Sequence, residues 1–388
     1  AAHYPAVFTS RHPSAIPWYI WLGVVAITSS SIGGAWDVSW HRSIGRDTFW
    51  TPAHMAIYAC GVLAGIICSW LIVKVTFLRD PELSAASVNV FGLRAPLGIF
   101  LAGWGCVAVL TSAPFDNWWH NAYGLDVKIV SPPHALLILG LRGISTGVML
   151  LILAAMNRAA ENDETTFQWL QMLLVYVGGL AIVGQMFFVQ EFTWDVKLHQ
   201  AAPYIAMAIA LPVIFAALSW ASRSRWAATS MAAVYTVFLI GEILILPLFP
   251  AQPKLGPVFN PVTHMIPAKF PILILLPALA LDLLWQRVKN WKPWQIALVS
   301  GVVFVVVLTA VEWPFASFLM TDASKNRFFG TIYFDYSSRP MGLDRLRQWL
   351  DPDHGAALFA GLVRAAVYAS ISTWIGLRFG RWMRGVQR

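Results

Sequence analysis

Two stretches of this chain repeat a carboxylate and two imidazoles at nearly the same spacing. The first reads Trp-Asp-Val-Ser-Trp-His over 36–41 and Arg-Asp-Thr-Phe-Trp-Thr-Pro-Ala-His over 46–54; the second reads Phe-Asp-Asn-Trp-Trp-His over 115–120 and closes on Ser-Pro-Pro-His at 131–134. Each copy carries an Asp, a His four residues on, a Gly-x-Asp, and a His just behind a proline. An Asp and a His four apart share one face of a helix, a turn from each other. A His following the Pro that opens the next helix can face them across the hairpin. Asp37, His41 and His54, and in the second copy Asp116, His120 and His134, are therefore expected to converge as metal ligands, with the first set catalytic. Two imidazoles and one carboxylate leave coordination positions open, and the set suits iron, zinc or copper. Gly45 and Gly124 allow tight turns. Asp47 and Asp126 read either as acceptors behind the histidine N–H groups or as helix N-caps.

The elements that hold these residues are membrane helices. The mean hydropathy is +0.62, with 58% hydrophobic and only 12% charged residues, as in polytopic membrane proteins. Apolar runs of spanning length predict an all-α fold of ten transmembrane helices, at about 15–36, 53–77, 94–113, 134–156, 166–190, 202–221, 227–249, 268–286, 294–318 and 355–378. The basic residues Lys74, Arg79, Arg94, Arg158, Arg223, Arg225, Arg287, Lys289, Lys292 and the Arg378–Arg388 tail then share one side, which the positive-inside rule makes cytoplasmic. The Asp/His loops face the other, periplasmic side of an inner membrane. The net charge of +8 thus reflects orientation in the bilayer, not a nucleic-acid surface. Cys60, Cys68 and Cys106 lie in apolar runs without metal-binding spacing and read as core.

The self-similarity continues in weaker form. Asp195/His199 keeps the first pair, Asn260/His264 has an amide in place of the carboxylate, and Phe334-Asp335 leads through Arg339 and Asp344 to His354. The helices parse as five hairpins opening to one side. Residues 1–156 form the metal-binding part and 157–388 the additional hairpins. The last three copies each lack part of the ligand set, so shared helix-capping loops explain them as well as binding does.

The strings Asp37-Val-Ser-Trp-His41, Arg46-Asp-Thr and Thr51-Pro-Ala-His54 resemble a signature of the copper membrane monooxygenases, the particulate methane and ammonia monooxygenases, found in the third of their three membrane subunits. The resemblance covers about 30–150. It implies copper on Asp37, His41 and His54 and a second ligand set at Asp116, His120 and His134, where Asp116 replaces the family's usual Asn. It further implies partner membrane subunits and oxidation of a small apolar or ammonia-like substrate with O2. The family's third subunit is shorter, with no counterpart to the helices beyond the fourth.

Other residues carry weaker signals. Glu242 and Glu312 lie in apolar helices, where a carboxylate is a functional candidate by default. Glu242 reads as a proton carrier, an extra ligand, or a protonated side chain bonded to a neighbouring helix; Glu312 as part of a kink or interface; Asp282 as a partner of Arg287. Many of the 20 tryptophans flank the Asp/His loops, as an interfacial belt requires, and can also wall a dry pocket. Two further functions fit the sequence: a metal or proton transporter, or a non-catalytic member of a larger respiratory or monooxygenase complex.

Overall fold

The computed structural model describes residues 16–124, 131–159, 163–189, 198–254, 262–288, 290–333 and 352–388. Helix α1 (Trp18–Ser43) starts behind Pro17. Helix α2 (Pro52–Ile72) has Thr51 at its N-cap and Pro52 at the first position, where the missing N–H costs nothing. It ends in a π-turn over Val73–Phe77. The short α3 (Pro81–Ala85), capped by Asp80, and a hairpin of Val88–Val90 with Leu93–Ala95 complete this polar end. Helices α4 (Leu97–Tyr123) and α5 (Pro132–Ala159) form the second hairpin. Then come α6 (Glu164–Val189), α7 (Ala201–Ala210), α8 (Pro212–Ser222), α9 (Ala227–Ile245), α10 (Leu275–Arg287), α11 (Pro293–Leu319) and α12 (Gly355–Met383).

Among the described residues, nine helices are long and apolar enough to cross a membrane, with α7 and α8 counted together as Ala201–Ser222. The chain is an integral membrane protein of the all-α class. One continuous apolar core runs from Tyr19 to Val386, across the division expected at 156/157.

The helix ends differ from expectation where it matters for chemistry. Helix α1 continues to Ser43 instead of stopping near 36, and α4 runs through Pro114 to Tyr123 instead of stopping near 113. The polar motifs are thus the last turns of membrane helices. The span expected at 202–221 is interrupted at Leu211-Pro212, because Pro212 has no N–H to continue the ladder. The span expected at 268–286 is a helix only from Leu275. Its 13 residues rise about 20 Å, short of a bilayer core of about 30 Å.

Residues 262–274, before α10, are non-helical yet largely buried. Unpaired backbone is intolerable at membrane depth, and side chains satisfy it here. Ile266 N–H donates to Ser43 Oγ (2.7 Å), Ile272 N–H to Tyr235 Oη (3.3 Å) and Leu273 N–H to Glu312 Oε2 (2.9 Å). Ser39 Oγ donates to the Ile266 carbonyl at 2.5 Å, which pins this segment to α1.

Close backbone contact fixes the two site-bearing hairpins. A Cβ on Gly33 would lie 2.8 Å from Ile57 N, and one on Gly105 would lie 2.5 Å from the Gly140 carbonyl oxygen. Small residues let α1 meet α2, and α4 meet α5, backbone to backbone. The α2–α4 and α1–α5 contacts join the pairs into one four-helix group. At the opposite end, Asn157 donates to the carbonyls of Met383 and Val386, and Arg158 to that of Gln387. The basic tail and the Asp/His loops therefore occupy opposite ends of the bundle.

Candidate metal centre

Asp37 and His41 project from the last turns of α1, and His54 from the first turn of α2. Their Nε2 and carboxylate oxygens converge. His54 Nε2 lies 3.1 Å from Asp37 Oδ1 and His41 Nε2 lies 3.8 Å from Asp37 Oδ2. A fourth donor joins them: Asp47 Oδ2 is 3.2 Å from His54 Nε2 and 3.4 Å from His41 Nε2. One ligand atom from each of the four residues falls within 4.8 Å of all the others.

Asp47 arrives through the loop between the helices. Gly45, at φ 85°, ends α1 with a left-handed residue, which glycine adopts without a Cβ clash. Trp40 Nε1 then donates to the Arg46 carbonyl, and Thr48 N–H to Thr51 Oγ1 at 2.8 Å. Thr51, not Asp47, is the N-cap residue of α2, so the capping role considered for Asp47 does not apply. Burial pushes the Asp47 carboxyl up, but its contacts with His41 and His54 outweigh this and hold it well below the usual carboxylate range.

The ring orientation of His54 is set from behind. Its Nδ1 lies 3.0 Å from the Thr48 carbonyl oxygen, which only accepts, so Nδ1 carries the proton. Nε2 is left aimed at two carboxylate oxygens. That arrangement needs positive charge between the groups: either further ring protons or a cation. Asp37 Oδ1 is buried without a hydrogen bond even though His54 Nε2 is so close. The contact distances of 3.1–3.8 Å also bracket the ligand–ligand edge of about 3.4 Å in a tetrahedral site with bonds of about 2.0–2.1 Å. The residues present therefore fit a metal ion. Phe49 and Tyr58 wall one side, with Tyr58 centred 6.0 Å from the His54 ring.

The second copy repeats the plan. Asp116 touches His120 Nε2 and His134 Nε2, each at 3.4 Å. His120 Nδ1 faces the Gly124 carbonyl at 3.2 Å, and Gly124 has φ 88°. The rings again present Nε2 to the carboxylate. The equivalent of Asp47, Asp126, lies outside the described residues, so only three donors of this copy are placed.

The later copies differ. Asp195, Asn260, Asp335, Arg339 and Asp344 lie outside the described residues. His199 is buried against Trp313 and bonded to Ser317 Oγ (3.0 Å), His264 pairs with Thr263 Oγ1 (2.9 Å), and His354 stands at the N-cap of α12. Among the described residues, none of the three joins an Asp/His cluster.

Of three intramembrane acids, Asp282 and Glu242 each lack one expected pairing, whereas Glu312 keeps the expected interface role. Asp282 caps α9 through the N–H groups of Ala228 and Thr229, not Arg287. Glu312 accepts from Leu273 at the start of α10. Glu242 has both carboxylate oxygens buried, with no hydrogen bond to a neighbouring helix. Cys60, Cys68 and Cys106 are free and buried, as expected. Comparison with family models, with curated proteins and with solved structures gave no match.

Proposed function

We propose that this protein is a membrane metal-dependent oxidoreductase subunit of the copper monooxygenase type. Its working centre is Asp37, His41 and His54, and Asp116, His120 and His134 form a second metal site. The observation that carries this reading is the convergence of imidazole Nε2 atoms on half-buried carboxylates at the first hairpin. The local resemblance over about 30–150 adds the copper chemistry and the partner subunits.

Bound at these donors, copper would supply the O2 chemistry for oxidising a small apolar or ammonia-like substrate; iron and zinc suit the same donors. The chain's own contribution is to orient the rings through Thr48 and Gly124, and to keep water from the site with Phe49 and Tyr58. His41, with 43% of its side chain exposed, is the side from which a small ligand enters.

In this reading the chain crosses an inner membrane ten times as five hairpins. The segment 262–287 serves as the shortened eighth crossing, and the Asp/His loops are periplasmic. Elemental analysis of wild type beside His54→Ala tests the centre. The substitution is expected to remove one metal equivalent and leave the helical circular dichroism unchanged. Full metal retention in a folded His54→Ala protein would exclude it.

A second reading, a metal or proton transporter, draws on the broken α10. Discontinuous helices with buried non-helical backbone are a hallmark of transporter binding sites. Metal uptake into proteoliposomes that is abolished by Glu312→Gln would favour it over the oxidoreductase.

A further inference from the structure

We infer that Asp47 is a direct metal ligand, making the first cluster a four-donor site of two carboxylates and two imidazoles built for a divalent cation. The inference rests on the metal reading above and deepens it.

Position separates a ligand from a supporting acceptor. A carboxylate that supports a metal-bound histidine takes the proton of the ring nitrogen remote from the metal. For His54 that nitrogen is Nδ1, and the Thr48 carbonyl already holds it at 3.0 Å. Asp47 instead meets Nε2 of His54 and Nε2 of His41, the two atoms that Asp37 meets. Asp47 and Asp37 therefore stand on the same side of both rings, and each is related to the imidazoles as the other is.

Burial and charge agree. Only 7% of the Asp47 side chain is exposed, against 22% for Asp37, so the newcomer is the better shielded of the two. Two carboxylates so close together repel each other unless ring protons or a bound cation place positive charge between them. A divalent ion cancels their two charges, whereas a monovalent ion leaves one uncompensated in a partly desolvated place. The donors are all oxygen or imidazole nitrogen, with no thiolate or thioether. Such a set favours Cu(II), Zn(II), Fe(II) or Co(II) over cuprous ion.

The test uses the full-length protein in detergent with Co2+ as the probe. Asp47→Cys puts a sulfur at the inferred ligand position. A thiolate bound to Co2+ gives an intense near-ultraviolet charge-transfer band that an unbound thiol lacks. The expected result is one Co2+ per chain at the first cluster in wild type, lost in His54→Ala, and a new sulfur-to-cobalt band in D47C but not in the neighbouring control T48C. Asp47→Asn provides an independent arm if D47C fails to fold. It should weaken Co2+ binding about tenfold or more and also change the visible ligand-field spectrum. An outer-sphere role weakens binding without altering that spectrum.

Co2+ binding by D47C without the sulfur band, or an unchanged D47N spectrum, overturns the role of Asp47 while leaving the metal centre intact. Failure of wild type to take up Co2+ overturns both.

Discussion

At the scale of single residues, the first hairpin is an electrostatic arrangement that a bound cation would complete. His54 donates through Nδ1 to Thr48 and turns Nε2 toward Asp37 and Asp47. Metal binding must displace protons from the imidazoles, so affinity is expected to fall as acid protonates the rings. Co2+ titrations in two buffers of different protonation enthalpy would detect that release; identical apparent enthalpies would contradict it. Asp47 behaves differently, because its carboxyl is held low. A carboxylate whose folded value is depressed stabilises the fold above its unfolded value of about 3.9, and that contribution is lost only as pH falls toward the lower folded value. The stability gap between wild type and Asp47→Asn in the metal-free protein should therefore stay level between about pH 5 and pH 7 and close only below about pH 4. Thermal unfolding across that range checks this, and a gap already closing near pH 6 would be inconsistent with it.

At the scale of elements, site geometry depends on how closely helices approach. Gly33 sits against the backbone of α2, one turn below Asp37 and beside the start of the helix that carries His54. A methyl group there would meet Ile57 N and the Ala53 carbonyl at under 3 Å, and backbone cannot step aside as a side chain can. Gly33→Ala should spread α1 from α2, cost about 1–3 kcal/mol of stability, and weaken Co2+ binding in parallel. Unchanged stability and affinity would show that the helices have slack. Helix α10 poses a different problem. Glu312 is fully buried and accepts the Leu273 N–H, so Glu312→Ala leaves a buried donor without its acceptor, at a cost of about 1–3 kcal/mol. Glu312→Gln keeps an acceptor oxygen and should unfold near the wild-type temperature. Equal losses in both variants would mean that the charge, not the acceptor, is what the fold uses.

At the scale of the whole molecule, the chain has two chemically distinct ends. One carries the Asp/His hairpins. The other carries Arg158 and the basic tail, tied together by the Asn157 and Arg158 hydrogen bonds. The positive-inside rule predicts opposite accessibility for them. Trp50, 72% exposed in the first Asp/His loop, and Arg223, at the end of α8, suit cysteine labelling, because the three native cysteines are buried. In intact inner-membrane preparations an impermeant maleimide should label Trp50→Cys from the periplasmic side and Arg223→Cys only after permeabilisation. The reverse pattern would invert the orientation.

The sequence alone determined the class of the protein and most of the side chains that gather in the two Asp/His clusters. Hydropathy at spanning length is a local property of each segment, and the Asp-x3-His spacing guarantees a shared helical face wherever the helix continues. The repeat of that spacing beside Pro-x-His and Pro-Pro-His marked six residues that the tertiary structure brings into two groups. Three things were decided only in three dimensions. The helix ends were misplaced because hydropathy falls at Asp37 and Asp116, whereas the backbone ladder continues past them to Ser43 and Tyr123. The break before α10, where Pro267 and Pro271 interrupt any helical ladder, was read through because residues 270–274 are apolar; the hydrogen-bond partners of the segment, Ser43, Tyr235 and Glu312, come from elsewhere in the chain. Asp47 joined the cluster because a loop closed by Gly45, Trp40 and Thr51 turns its carboxylate inward, and spacing along a chain does not specify the direction of a loop side chain.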